Sequence, residues 1–172
     1  MNARPAADEF APYYGKYIDL VEGNDVMSAL DRQSRSTRAA LAQIDEAKGI
    51  HRYAPGKWSI KEVVGHLIDA ERVFAYRALR IARADETPLA GFDENDYVRN
   101  ANFDATPLSA LADEFALVRQ ANLAMFRQFG EPEWQRRGTA SGKTVSVRAL
   151  AYIIAGHELH HFALLQTRYL TA

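Results

Sequence analysis

Apolar residues recur every three or four positions along four long stretches of the chain, and this spacing is typical of amphipathic α-helices. The four apolar stripes predict helices near residues 25–48, 59–84, 107–129 and 147–170. Little of the chain shows the strict alternation of apolar and polar residues that is typical of a half-buried strand. Four long amphipathic helices with little strand potential predict an all-α fold, a single four-helix bundle.

Capping signals support the predicted ends of these helices. Ser59 and Glu62 have the spacing of a capping box at the start of the second helix. Thr106 and Pro107 supply a capping residue followed by proline at the first position of the third helix. Ser146 is placed to cap the fourth helix, and the segment before it, RRGTASGKTVS, predicts a turn or a short hairpin because of its glycines.

The remaining segments connect or precede the helices. The polar connection 85–105 is long for a bundle loop, and loops of that length are usually functional or contain a short helix of their own. We interpret residues 1–24 as an ordered arm or a short helix on the body, and residues 25–172 as the bundle domain. Because aromatic side chains of the arm need a surface to pack on, we expect a homodimer. These aromatic residues are Phe10, Tyr13, Tyr14 and Tyr17.

Composition narrows the class of protein further. The 172 residues suit one domain and carry a formal net charge of −1, with no long run of like charge. We therefore expect no nucleic acid and no anionic membrane as partner, because both attract a concentrated basic patch. No apolar run approaches the roughly 18 residues of a membrane helix, and the N-terminus lacks a signal-peptide core, so we expect a cytoplasmic protein. The absence of cysteine excludes disulfides, thiolate ligands and a cysteine nucleophile.

The last predicted helix contains GHELHHFALL, in which His157, Glu158 and His161 spell the H-E-x-x-H signature of zinc proteases. At about 100° per residue, His157 and His161 lie in the centre of the apolar stripe, whereas Glu158 is turned about 100° away. Buried imidazoles are costly unless their ring nitrogens have partners, which a metal, a backbone carbonyl or a water can provide. His160 offers a rival i, i+3 pairing with His157 that is less well centred on the stripe.

A third ligand distinguishes a metal site from ordinary core histidines. Zinc proteases with this motif take that ligand from downstream, but the FALLQTRYLTA that follows His161 contains no His, Asp, Glu or Cys. We therefore regard the protease match as accidental. Upstream, His51 lies in a Pro/Gly loop and is expected to be solvated. His66 borders the apolar face of the second helix, and side chains that converge between helices are how bundles build metal sites.

Three motifs together resemble the DinB-like superfamily, which includes YfiT-like proteins classed as metal-dependent hydrolases. They are Trp58-Ser59-Ile60 at a helix start, His66 within G-H-L-x-D-x-E-R, and G-H-E-x-H-H near the C-terminus. The resemblance extends from about Asp25 to Tyr169. It implies a four-helix bundle, often dimeric, in which three histidines bind a divalent cation, usually zinc or nickel.

Carried over residue by residue, the resemblance implies that the metal ligands are His66, His157 and His161. His160 is then an additional imidazole beside them or on the surface. Characterised relatives include transferases and isomerases that use a small thiol such as bacillithiol or mycothiol. The resemblance therefore implies a small-molecule substrate and, for this chain without cysteine, a low-molecular-weight thiol as an optional cosubstrate.

Acidic residues near the histidines are the candidates for catalysis. Three neutral imidazoles leave a divalent cation an open position, where water or a thiol can become a nucleophile near neutral pH. Glu62, Asp69 and Glu158 could each act as a general base or orient an imidazole. For each of them a structural role is favoured: Glu62 caps its helix, and the other two are solvated or ion-paired. We expect a metal-dependent hydrolase or a small-thiol S-transferase; the alternative is a metal-binding stress-response module without turnover.

Overall fold

Four long and three short α-helices make up most of the computed structural model, which describes residues 3–170. In chain order they are α1 Gly15–Ile18, α2 Val26–Leu41, α3 Ile60–Ala82, α4 Glu94–Asn100, α5 Leu108–Phe126, α6 Glu131–Gln135 and α7 Val147–Leu164. An antiparallel hairpin of β1 (Arg137–Ala140) and β2 (Lys143–Ser146) precedes α7, and a π-helical turn (Leu165–Tyr169) follows it. Short 3₁₀ segments occur at Ala7–Glu9, Pro12–Tyr14, Glu46–Ile50 and Phe103–Ala105. Within residues 3–170, no helix combines the length and the apolar composition needed to cross a bilayer.

The long helices α2, α3, α5 and α7 pack together as a four-helix bundle, as the sequence predicted. Helix α3 lies against both α5 and α7, and α2 packs on the same two helices. Burial of one aliphatic or aromatic side chain contributes about 1.5–3 kcal/mol, so the stripes on these helices stabilise the bundle. Fully buried members of the stripes include Leu30, Ile68, Phe115 and Ile153.

Side-chain caps fix the starts of the two helices that carry the histidines. At α3 the Ser59 hydroxyl accepts the Glu62 N–H at 3.0 Å, and the Glu62 carboxylate accepts the Ser59 N–H at 2.7 Å. This reciprocal pair confirms the predicted capping box. At α7 the Ser146 hydroxyl accepts the Ala149 N–H at 3.0 Å, which confirms that Ser146 is the cap.

Two helix ends differ from the prediction. Helix α2 ends at Leu41 and not near residue 48, because the Asp45 carboxylate caps a separate 3₁₀ turn by accepting the Ala47 N–H at 3.0 Å. Helix α5 begins at Leu108, and Pro107 stands at its cap position without a side-chain hydrogen bond. The Leu108 N–H is instead bound by the Glu46 carboxylate at 2.8 Å. A residue 62 positions upstream thus takes the role predicted for Thr106.

The connection before α7 and the long polar connection after α3 agree with the expectations from the sequence. The segment between α6 and α7 is a hairpin whose turn contains Ser141 and Gly142, both with positive φ (51° and 71°). The long polar connection contains α4, and the Asp93 carboxylate caps this helix by accepting the N–H of Asn95 at 2.8 Å. The connection also lies beside the hairpin, because the Leu89 N–H donates to the Thr139 carbonyl at 2.9 Å.

The N-terminal segment packs on the bundle and contributes to its core. Ile18 and Val21 are almost completely buried, and the Arg4 guanidinium donates to both of their carbonyl oxygens at 2.7 Å and 2.9 Å. Of its aromatic residues, Tyr17 is buried against α7, whereas Tyr13 is 59% exposed. The segment therefore forms one wall of the site described next.

Candidate metal centre

Three histidine side chains converge between α3 and α7. His66 lies on α3, while His157 and His161 lie one turn apart on α7, and each is at most 9% exposed. One ring nitrogen from each lies within 4.8 Å of those of the other two. The ring centroids are 4.5 Å to 4.9 Å apart. The structure thus brings together the three residues that the sequence predicts as ligands, in an arrangement that could hold a metal ion.

A glycine directly precedes a histidine on each of the two helices and lets another segment approach closely. A Cβ on Gly156 would lie 1.9 Å from the carbonyl oxygen of Tyr17, so α1 can rest on α7 only because this side chain is missing. A Cβ on Gly65 would lie 2.4 Å from the ring of Phe103. These contacts place covering segments over the helix surfaces beside the histidines.

The polar atoms of the three rings fit a bound cation. The Nε2 atoms of His66 and His157 face each other at 3.0 Å. Without a metal, one of these two nitrogens must be protonated and donate a hydrogen bond to the other. The Nδ1 atom of His161 is buried and has no hydrogen-bond partner among the described residues. A buried polar atom left in this state costs about 1–3 kcal/mol. A divalent metal that takes nitrogen lone pairs would remove part of this cost, so the donor set suits such an ion.

Burial keeps the three imidazoles in the neutral form that can ligate. It lowers the pKa of His66 to about 4 and that of His161 to about 3. Burial also lowers the pKa of His157 well below its ordinary value, and the neighbouring imidazoles act in the same direction. At neutral pH each ring therefore keeps one unprotonated nitrogen whose lone pair can bind a metal, and no imidazolium proton has to be displaced.

A cavity of about 290 Å³ opens beside the three histidines and has mostly aromatic walls. The Trp58 ring centroid lies 4.8 Å from that of His66. The Tyr17 and Phe74 ring centroids lie 5.2 Å and 6.1 Å from that of His157. The size of the cavity and its aromatic walls are suited to a small molecule.

Glu158, the glutamate of the H-E-x-x-H string, takes part in a buried ion-pair network. It is 2% exposed and accepts hydrogen bonds from the Thr37 hydroxyl and from Arg119, the latter at 2.8 Å. Arg119 also forms a bidentate ion pair with Glu71, with N···O distances of 2.7 Å and 2.8 Å. Burial raises the pKa of Glu158, and Arg119 partly offsets this. Since both of its oxygens are engaged, Glu158 is ion-paired as expected and does not offer a free base to the cavity.

The other two acidic candidates do not line the cavity. Glu62 caps α3 and accepts a further hydrogen bond from Arg52 at 2.9 Å. Asp69 is half-buried, with Arg72 3.8 Å away, and burial raises its pKa. The structural roles expected from the sequence are the ones that these two side chains have in the structure.

The two remaining histidines differ in their distance from the site. His160 lines the cavity, with its ring centroid 5.1 Å from that of His161, but it does not belong to the converging group. Burial and the charge of Lys16 lower the pKa of His160. His51 is exposed, as expected, and its ring centroid lies 6.2 Å from that of Tyr169.

Three charged residues of the cavity wall were not predicted from the sequence: Lys16, Arg77 and Glu94. Arg77 could have been found, because it follows His66 by 11 residues on α3. Eleven residues make about three helical turns plus 20°, so the two side chains share one helix face. Lys16 and Glu94 reach the cavity through the packing of the N-terminal segment and of α4, for which the sequence contains no local signal.

Comparison with known proteins identifies relatives of this fold. The family model of the DinB superfamily matches residues 29–165. No curated protein sequence matches the chain. Among solved structures, YfiT from Bacillus subtilis is described as a probable metal-dependent hydrolase with an unusual four-helix bundle topology. It superimposes with a TM-score of 0.74 at 15% identity, over 95% of this chain and 90% of YfiT.

Two further structures share the architecture. A mycothiol-dependent maleylpyruvate isomerase superimposes with a TM-score of 0.66 at 16% identity, over 80% of this chain but only 58% of the isomerase. A DinB-like protein from Bacillus subtilis gives a TM-score of 0.59 at 22% identity, over 83% of this chain and 87% of that protein. At these identities the likeness shows a common four-helix bundle fold.

Proposed function

Because the chain belongs to the DinB superfamily, we propose that it is a metal-dependent enzyme in which His66, His157 and His161 hold one divalent cation. The convergence of three buried, neutral imidazoles carries this proposal, and the unpartnered Nδ1 of His161 supports it. Nitrogen ligands favour zinc, nickel or copper over magnesium or calcium. Of these we propose zinc or nickel.

The chemistry divides between the cation and the chain. When bound by three imidazoles, such a cation keeps an open position and lowers the pKa of a water or thiol there, which supplies a nucleophile near neutral pH. The chain holds the ligands in place by the caps of α3 and α7. The rings of Trp58, Tyr17 and Phe74 surround the histidines with apolar surface, and electrostatic interactions are stronger in apolar surroundings than in water.

A hydrolase acting on a small molecule is the activity that the site supports best. The cavity of about 290 Å³ lies at the small end of the range for ligand pockets and suits a compact substrate better than an extended peptide. Glu158, which would be the base of a zinc protease, is engaged by Arg119 and Thr37. The similarity to YfiT, a probable metal-dependent hydrolase, covers nearly the whole chain and supports this choice.

A transferase or isomerase that uses a small thiol is the second candidate. The mycothiol-dependent isomerase has the same fold, although this chain spans little more than half of its length. Among the described residues, Glu94 is the only carboxylate that lines the cavity, and a thiol needs no carboxylate base when a cation deprotonates it. Since the chain has no cysteine, that thiol would have to be a cosubstrate.

Activity measurements separate these candidates from a metal-binding stress-response module without turnover. Metal-loaded protein is incubated with small carboxylic esters and with epoxides, each with and without an added low-molecular-weight thiol. The control is His161→Ala protein treated in the same way. Ester hydrolysis that needs no thiol and is lost in the variant supports the hydrolase. Turnover only with thiol supports the second candidate, and metal binding without turnover in any arm contradicts both.

We also propose that the protein acts in the cytoplasm and uses neither nucleic acid nor a membrane as partner. The formal net charge of −1, without a run of basic residues, supports the absence of both partners. Retention on heparin or on anionic vesicles at physiological salt would contradict this part of the proposal.

A further inference from the structure

Arg77 is a buried cation on α3 for which the structure shows no counterion. It is 3% exposed, and within residues 3–170 it forms no ion pair with a carboxylate. Two arginines on the same helix do have such partners, because Arg72 pairs with Glu114 at 2.7 Å and Arg80 pairs with Asp85. Buried charges in proteins are almost always paired, since an isolated one is costly to remove from water. The missing partner of Arg77 therefore calls for an explanation.

The contacts of Arg77 leave part of its hydrogen-bonding capacity free. One nitrogen, Nη2, donates to the Ala90 carbonyl at 2.8 Å and to the Ser141 hydroxyl at 3.1 Å. Both acceptors are neutral, and they tie the long connection and the hairpin turn to α3. A guanidinium has five N–H groups in a planar fork, and besides these two acceptors the neutral Tyr14 hydroxyl is a hydrogen-bond partner of Arg77, so none of the three acceptors supplies a negative charge. Two aromatic rings flank the guanidinium, with Phe74 and Phe92 centroids 5.8 Å from its central carbon.

Positive side chains outnumber negative ones around the cavity, and this favours the binding of an anion. Arg77 lines the same cavity as the three histidines, together with Lys16 and Glu94. Lys16 is exposed and lies 4.0 Å from the ring centroid of Tyr13. Two cations and one carboxylate line this cavity, and a divalent cation held by the three histidines would add to the excess of positive charge. An anionic group on a bound molecule would reduce this excess, and a carboxylate is planar and presents two oxygens to the planar fork of a guanidinium.

We propose that Arg77 is the anion-binding residue of this cavity and that the substrate is a small molecule with a carboxylate group and an apolar body. The carboxylate would face the free N–H groups of Arg77, while the reacting part of the substrate faces the three histidines. The aromatic rings between these two ends favour an apolar body. The placement of the reacting part at the three histidines rests on the proposed function, whereas the binding of the carboxylate depends on Arg77 alone.

The test compares two probes of the same shape that differ in charge. Binding of benzoate and of neutral benzamide is measured by isothermal titration calorimetry, with metal-free and with metal-loaded protein. We expect benzoate to bind at least about tenfold more tightly than benzamide in both forms, since charge-assisted hydrogen bonds are stronger than neutral ones. Phenyl phosphate serves as the dianionic probe and is expected to bind no better than benzoate.

Variants at two positions of α3 show whether Arg77 is responsible. Arg77→Gln should remove the preference for benzoate and leave benzamide binding unchanged. Arg80→Gln removes the same charge from the same helix, outside this cavity, and should bind both probes as the wild type does. Circular dichroism verifies that each variant is folded. If Arg77→Gln is not folded, equal binding of the two probes by the metal-free wild type still overturns the inference.

The outcomes separate this inference from the proposed function. Equal binding of benzoate and benzamide by metal-free wild type overturns the inference. So does a preference that needs the metal and survives in Arg77→Gln, because the carboxylate would then bind at the metal. Much tighter binding of phenyl phosphate overturns the assignment of a carboxylate. A preference that depends on Arg77 in a protein that takes up no metal would keep the anion site and refute the metal-dependent function.

Discussion

Replacement of Gly156 by alanine tests how α1 is held against the helix that carries two of the three histidines. The added methyl group would lie 1.9 Å from the Tyr17 carbonyl oxygen and 2.4 Å from its carbonyl carbon. To reach an ordinary contact of 3.4 Å, the two segments must separate by about 1.5 Å. The atoms that must move belong to the backbone, so no side-chain rotation relieves the overlap.

The expected loss of stability follows from two opposed effects. Excess volume in a packed interior costs about 1–3 kcal/mol, and a backbone clash belongs at the upper end of that range. Alanine is about 1 kcal/mol more favourable than glycine inside a helix. We therefore expect Gly156→Ala to lower the free energy of unfolding by about 2 kcal/mol. For a domain of this size, that corresponds to a fall of about 4–8 °C in Tm.

Urea unfolding followed by circular dichroism measures this difference, with Gly65→Ala as the matched control. A Cβ on Gly65 meets the ring of Phe103 at 2.4 Å, but this ring is a side chain that can move, so its loss should be smaller. A Gly156→Ala protein that is as stable as the wild type, or more stable, would show that the gain in helix propensity is unopposed. In that case α1 does not pack on α7 as described.

Three further predictions concern the ion pairs and the assembly. Arg119→Met leaves the carboxylates of Glu71 and Glu158 buried together, and urea unfolding should show a loss of about 3–5 kcal/mol; a loss below about 1 kcal/mol would contradict the network. Burial alone would raise the pKa of Glu9, but hydrogen bonds, chiefly from Arg148, lower it from 4.5 to about 2. The Glu9 carboxylate therefore stabilises the fold above pH 4.5, and this stabilisation, about 3 kcal/mol in all, is lost as pH falls toward 2. In unfolding curves measured across this pH range, Glu9→Gln should lack this part of the acid sensitivity. Light scattering at micromolar concentration should show a homodimer, and a monomer alone would refute this proposal.

The helices and the facing of two histidines could be predicted because they depend on local geometry. Residues four apart on a helix share one face, so the position of His157 and His161 within an apolar stripe follows from the sequence alone. The caps at Ser59 and Ser146 are equally local, since each bonds a backbone group three residues on. To place His66 beside these two histidines, one must also know that α3 packs on α7. This packing is expected in a four-helix bundle, where a polar residue at the border of an apolar stripe faces a neighbouring helix.

The features that were missed depend on contacts between distant residues. The sequence near Leu41 contains no strong signal for the end of α2. The turn that follows is held by Glu46, which pairs with Lys61 at 2.5 Å and caps α5. Lys16 and Glu94 lie in segments without a long apolar stripe, so their positions at the cavity depend on tertiary packing. Arg77 shares a helix face with His66, but its lack of a counterion is visible only once the surrounding segments are in place.

The metal content of purified histidine variants tests the central proposal most directly. Wild-type protein, His161→Ala and His160→Ala are loaded with zinc or nickel, desalted and analysed by inductively coupled plasma mass spectrometry. The exposed His51→Ala protein serves as the control for loading. We predict about one metal ion per chain in the wild type, in His160→Ala and in His51→Ala, and loss of most of the metal in His161→Ala. Retention of the metal in His161→Ala together with its loss in His160→Ala would contradict the assignment of the site to His66, His157 and His161.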